Sequence, residues 1–294
     1  MKDYILTSPA FSGPNPPLWG IFDPGWYREH YGRRLQQEIN ERGEADPEIL
    51  EPNDLWLEQH WSNTGAAEGF SPNRFFDEGW YLRENIDVRN GVKRDGIFDA
   101  GFLHYCESGF RGRTPHWLFS EDNYFRENPD LSPHALISQG YCNGYDHYLR
   151  VGDLEKRVSH IFFDPAVFQA ECFKSNIVFD FTRSAFGQFL EDEQRSSLRC
   201  SWYFDPQWYL EKYPEVRKSI ETGQFSGPLH HYLTNTSPGD FDPNPWFSEA
   251  HYRATSADVA AIVANGGFRN GYAHFVAFGA KELRSPHPDL DLAA

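Results

Sequence analysis

At 294 residues the chain is long enough for a substantial buried core or for two ordinary domains. Its 27 basic and 43 acidic side chains give a formal charge of −16, which excludes a phosphate-reading basic surface and opposes binding to anionic membranes. No apolar run is long enough to span a bilayer, so neither nucleic acid nor membrane insertion is expected.

Residues 1–21 read as an N-terminal arm without the long apolar core of a signal peptide, which predicts synthesis and folding in the cytoplasm. A repeat begins at Phe22 with "FDPGWYREHYG". Related strings begin at Phe76, Phe119, Phe163, Phe204 and Phe247, at intervals of 54, 43, 44, 41 and 43 residues. The copies are bounded as 22–75, 76–118, 119–162, 163–203, 204–246 and 247–288, with an acidic tail at 289–294. The extra length of the first copy is assigned to "ERGEADPEILEP" from Glu41, charged and proline-bearing like a surface loop.

Each copy places Asp23, Asp77, Ser120, Asp164, Asp205 or Ser248 after the leading Phe, and these are helix N-cap residues. Pro24, Pro165 and Pro206 suit the first helical position, where an N–H is dispensable. The leading Phe and the aromatic five residues later (Tyr27, Tyr81, Tyr124, Phe168, Tyr209, Tyr252) then stand as a hydrophobic staple. A middle helix is expected to restart at "NPDL" (Asn128), "YPEV" (Tyr213) and "SADV" (Ser256), and to stop at Gly140, Gly223 and Gly266. A third helix carries His60, His104, His147, His231 or His274 beside an aromatic, with Gln188 in that place in the degenerate fourth copy. The expected fold is all-α, a solenoid-like array of six repeats of about 42 residues, each of two to three short helices, forming one continuous body.

The strings "FDPQWYLEKYPEV", "GPLHHYL", "GAAEGFSPN" and "GAKELRSPHP" resemble repeats associated with bacterial surface-polysaccharide glycosyltransferases, over nearly the whole stretch from Phe22 to Pro288. In that family the repeats are not the catalytic part, and this chain leaves no room for a glycosyltransferase domain. Stand-alone versions resemble capsule-binding spike proteins of phage-like gene transfer particles. The resemblance implies a non-enzymatic protein recognising bacterial surface or capsular polysaccharide, as a spike or adhesin of a phage-like particle released by lysis. The alternative is an accessory or scaffold subunit of a polysaccharide-synthesis glycosyltransferase, partnered by other proteins of that complex. An enzyme with a site dispersed over several copies is the third reading.

The residues themselves point away from chemistry. Equivalent histidines on stacked helices stand about 8–10 Å apart, too far to share an ion that needs ligands within about 2 Å. His60, His104, His147, His231 and His274 are therefore expected to be structural, bonding neighbouring backbone, with no metal and no cofactor. Cys106, Cys142, Cys172 and Cys200 lack a CxxC pair and read as inert thiols. The D-x-D strings at Asp240 and Asp289 come without a phosphate loop or a hydrolase motif. The acidic "EDEQ" at Glu191 reads as a solvated face.

Aromatics make up 17% of the chain, and most belong to the repeat, including Trp26, Trp80 and Trp208 at one position, expected to be buried. Trp19, Trp56, Trp117 and Trp202 lack equivalents in most copies. A partly exposed ring that the framework does not use can stack on the apolar face of a pyranose. Trp117 with Arg113, Trp202 and Trp56 are the candidate carbohydrate-binding residues.

Overall fold

The computed structural model describes residues 16–41, 52–92, 98–290 and 292. Among them all extended regular structure is helical, with no strand, and the only sheet-like pairings are the isolated bridges His160–Phe163 and His287–Leu290. The parts of the arm, of the first-copy insertion and of the acidic tail at 1–15, 42–51, 291, 293 and 294 lie outside the described residues.

The first helix of each copy starts as its residues dictate. Asp23, Asp77 and Asp205 accept from the N–H of Trp26, Trp80 and Trp208 at 3.0, 2.7 and 3.1 Å. Ser120 and Ser248 do the same for Asn123 and His251, and Asp164 accepts from Ala166. The helices Pro24–Glu41, Glu78–Glu84, Glu121–Glu127, Pro165–Lys174, Pro206–Lys212 and Glu249–Thr255 follow. The staple rings meet at 5.2 Å for Phe22–Tyr27, 5.1 Å for Phe76–Tyr81, 5.8 Å for Phe119–Tyr124, 5.0 Å for Phe204–Tyr209 and 5.3 Å for Phe247–Tyr252. Five copies also close on themselves. The cap N–H of Asp23, Asp77, Ser120, Asp205 and Ser248 donates to the carbonyl of Pro72, Pro115, Ser159, Pro243 and Pro286 at the end of the same copy.

The middle helix varies more than the sequence pattern predicts. Pro214–Glu221 and Ala257–Ala264 begin where expected. In the third copy Asn128 ends the first helix and Pro129 lies in a turn; the restart comes at Pro133, where Ser132 caps the Ala135 N–H. Ser132 supplies a side-chain acceptor, which the residues preceding Pro129 do not direct at that turn. In the first copy the initial helix simply continues to Glu41. Gly140, Gly223 and Gly266 do stop their helices, at φ of 90°, 76° and 75°, a left-handed conformation that favours glycine.

The joint between copies is locked in two interchangeable ways. Arg113 forks onto Asp87 (2.6 and 3.0 Å) and reaches Asn85, Arg157 holds Asp130 and Asn128, and Arg284 holds Asp258. Where the joint residue is Phe70 or Phe241, the partner is instead Tyr31, within the long first helix, or Tyr213, which caps the end of Pro206–Lys212. These rings lie 4.3 and 5.0 Å from the joint Phe, and their hydroxyls accept the N–H of Ser71 and Asp242. Successive copies are tied by the third helix. Asn143 donates to the Tyr105 hydroxyl and the Phe110 carbonyl, and Tyr145 donates to the Phe75 carbonyl. Asn270 and Tyr272 repeat this onto Tyr232, Pro238 and Tyr203.

The expectation of one continuous body is corrected by the packing, which divides the chain into two compact units. One is Met1–Ala166 with Phe179–Asp192; the other is Val167–Val178 with Glu193–Ala294. The division falls inside the fourth copy, which has no middle helix between Lys174 and Ala185. No described helix is long and apolar enough to cross a membrane.

Asp205 caps the Trp208 N–H and also pairs with Arg199. Asp205→Ala should lower stability by about 0.5–2 kcal/mol, read as a fall in the urea midpoint. An unchanged midpoint would remove the cap from the interactions holding this copy.

Candidate functional site

The histidines have a common partner that the sequence reading missed. In five copies the staple tyrosine buries its hydroxyl against His Nδ1: Tyr27–His60 at 2.9 Å, Tyr81–His104 at 2.8 Å, Tyr124–His147 at 2.8 Å, Tyr209–His231 at 2.8 Å and Tyr252–His274 at 2.9 Å. The histidines are structural, but they bond this side chain rather than backbone. At His60 the other nitrogen, Nε2, meets the Glu38 carboxylate at 3.0 Å. A carboxylate only accepts, so Nε2 carries the proton and Nδ1 accepts from Tyr27. Burial pushes the His104 and His147 pKa values down, and that of His231 down to about 4. The fourth copy loses both partners together: Phe168 replaces Tyr, and Gln188 bonds the carbonyls of Asp180, Arg183 and Ser184.

Backbone passes directly over four of these hydroxyls. A methyl group at Gly65, Gly109, Gly152 or Gly279 would overlap the oxygen of Tyr27, Tyr81, Tyr124 or Tyr252. Three of the glycines end one-turn π-helical segments, Trp61–Gly65, Tyr148–Gly152 and Phe275–Gly279. In the fifth copy the helix ends at Thr234 with Asn235 as its C-cap, and Thr236 stands in the place of the glycine.

Carboxylates at the start of the first helix are equally committed. Glu78 accepts from the N–H of Gly101 and Phe102 at 2.6 and 2.8 Å, Glu121 from Gly144 at 2.7 Å, and Glu249 from Gly271 and Tyr272 at 2.6 and 3.1 Å. Each thereby caps the third helix of its own copy. Desolvation raises all three, and Glu78, fully buried, is pushed up to about 7. Copies with Pro at this position lack both this carboxylate and the glycine it faces.

Among the described residues no group of three or more His, Cys, Asp or Glu side chains is placed to hold a metal ion. Asp242 accepts the Glu249 N–H and pairs with Lys212, and Glu191 pairs with Arg183, so neither is a freely solvated carboxylate. Cys106, Cys172 and Cys200 are buried and outside any disulfide; Cys142 is half-buried, its pKa pushed up to about 12 by burial.

The four expected sugar-contacting residues do not come together. Trp117 is only 6% exposed, in a unit where the adjacent His116 packs against Phe186, so its expected exposure is corrected. Arg113 is the joint lock described above. Trp56 is half-buried, with one face stacked 5.2 Å from His60. Trp19, also unmatched in the repeat, is fully buried against Tyr105. Trp26 is buried as expected, whereas Trp80 and Trp208 are half-buried, Trp208 lying under the Lys212 ammonium.

Trp202 alone keeps its place, at 75% exposed, and the second unit adds Trp246 at 67%. The Tyr203 carbonyl accepts from Asn244 Nδ2 (3.1 Å) and the Tyr272 hydroxyl (2.8 Å), while Asn244 Oδ1 accepts the Trp246 N–H at 3.0 Å. One buried amide therefore fixes the backbone at both indoles. Trp246, which is outside the expected set, directly precedes a leading Phe, where Phe75 and Leu118 stand in other copies. The signal in the sequence was that no other copy places Trp at this position, which Ile21, Phe75, Leu118, Phe162 and Tyr203 fill. No known protein family, curated protein or solved structure matches the chain.

Two tests follow from the buried groups. Tyr124→Phe leaves His147 Nδ1 without its hydrogen-bond partner and should cost about 1–3 kcal/mol; Gly152→Ala should destabilise as well, and the double variant should be less destabilised than the two costs added, because the colliding oxygen is gone. Strict additivity in denaturant titrations would count against this coupling. Glu78, raised in the fold, contributes stability that is complete below about pH 4.5 and is lost as pH rises towards about 7. The stability difference between wild type and Glu78→Gln should therefore shift against wild type across that window; a constant difference would show that Glu78 does not titrate there.

Proposed function

We propose that the chain is a non-enzymatic binding protein for bacterial surface or capsular polysaccharide, built as a solenoid-like array of six helical copies. In this reading it is made in the cytoplasm and acts as a spike or adhesin of a phage-like particle. The observation that carries the reading is the contrast between committed and open groups. Histidines, buried carboxylates and joint arginines are engaged with tyrosines, helix N-termini and aspartates. The indole of Trp202, by contrast, stands 75% exposed on an immobilised backbone. Support also comes from the resemblance of the repeat to polysaccharide-associated repeats. A rigid surface that presents flat apolar rings suits sugar rings, and binding then releases few counterions.

The test is a pull-down of purified protein by capsulated cells and by an isogenic capsule-deficient strain, at low and high salt. Retention by the capsulated cells alone, changing little with salt, is the expected result. Equal retention by both strains, or by neither, would reject the reading. Turnover of a nucleotide sugar would favour an enzyme instead.

A further inference from the structure

We infer that Trp202 and Trp246 form a single carbohydrate site, and that its ligand is a chain of at least two pyranose units offering uncharged ring faces. The inference rests on the proposed polysaccharide reading and narrows it to a place and a ligand class.

The backbone at Tyr203, next to Trp202, and at Trp246 is held together by Asn244. Its Nδ2 donates to the Tyr203 carbonyl and its Oδ1 accepts the Trp246 N–H, at 3.1 and 3.0 Å. Two backbone atoms each one hydrogen bond from the same amide lie within about 8 Å of one another. The joint segments run side by side over a longer stretch, because the Asp205 N–H donates to the Pro243 carbonyl at 3.0 Å. Asn244 itself is buried, as is the Tyr272 ring that supplies the second donor to Tyr203. The platform is thus fixed before any ligand arrives, which lowers the ordering cost of binding.

The fold does not need these rings outside. At the matching joint in the first unit, Trp117 and Leu118 are buried, so the joint itself does not force its aromatics into solvent. Among the described residues, neither Trp202 nor Trp246 stacks on another ring, and neither indole N–H has a protein acceptor. Tyr203, the chain neighbour of Trp202, is 41% exposed. Each indole therefore offers an apolar face and a hydrogen-bond donor at its edge. A pyranose offers the complement, a C–H face and hydroxyl acceptors on its rim.

Charge selects among sugars. The ionic groups flanking the platform are already paired, Arg199 with Asp205 and Lys212 with Asp242 at 2.7 Å. These two cations are engaged by the protein's own carboxylates, and the chain carries −16 overall, which disfavours an anionic ligand. Two rings set apart on one surface engage two sugar units, so a polymer gains from both contacts and a monosaccharide from one.

The experiment is affinity electrophoresis of the whole chain through gels holding surface polysaccharide extracted from the capsulated strain, with Trp202→Ala, Trp246→Ala and Trp56→Ala. Each of the first two should weaken retention by about tenfold or more with unchanged melting, while Trp56→Ala should not. Carboxyl-reduced polysaccharide should be retained like the native polymer, and its monosaccharides should compete poorly. If wild type is retained and either Trp202→Ala or Trp246→Ala matches it, the site is wrong while the polysaccharide reading stands. If reduction of the carboxyls abolishes retention, the uncharged ligand class is wrong. If wild type is not retained at all, both readings fall. A loss of self-association in the two variants, with retention intact, would instead make the patch a contact between copies of this chain.

Discussion

The buried hydrogen bond between a staple tyrosine and a third-helix histidine is the constraint around which each copy is arranged. It joins the two helices that bracket a copy, and it does so with polar atoms that burial would otherwise penalise. At His104, His147 and His231 burial also lowers the imidazole pKa. From this one bond follow the aromatic five residues after the leading Phe, the histidine about 22 or 23 residues later in most copies, and the glycine where backbone crosses the hydroxyl. Tyr124, His147 and Gly152 are therefore one device distributed over three positions.

The fourth copy illustrates what happens without it. Phe168 has no hydroxyl to donate, and Gln188 turns its amide onto the local carbonyls of Asp180, Arg183 and Ser184 instead. Its first helix and its Gln-bearing helix then belong largely to different compact units. Losing a shared buried bond removes the reason for two helices to remain one packing unit, and the apolar residues of each find other neighbours. Phe186 does so among His116, Tyr145, Tyr148 and Phe163.

Because the framework consumes polar chemistry so thoroughly, function is better sought in what it leaves over. Residues with strong catalytic associations are accounted for by structure: Glu78 by helix N–H groups, Arg113 by Asp87, Asp242 by Lys212. Exposed indoles are the opposite case, since large apolar rings in water are costly unless something else covers them. Trp202 and Trp246 stand out on this ground, and the polar network beneath them gives the surface its rigidity.

Helix starts were legible in the sequence because capping is local: Asp77 and its acceptor bond to Trp80 lie within one turn. The all-helical class and the glycine stops at Gly140, Gly223 and Gly266 were legible for the same reason. The Tyr–His bond was written there too, in the joint loss of both partners at Phe168 and Gln188, but it becomes visible only when positions 20 or more residues apart are compared. Which aromatics face water was not legible. Trp117 and Trp202 occupy the same place before a leading Phe, yet one is 6% exposed and the other 75%. Exposure depends on what packs across the ring from distant parts of the chain, and the sequence sets a residue's neighbours along the chain, whereas only the tertiary structure sets those across it.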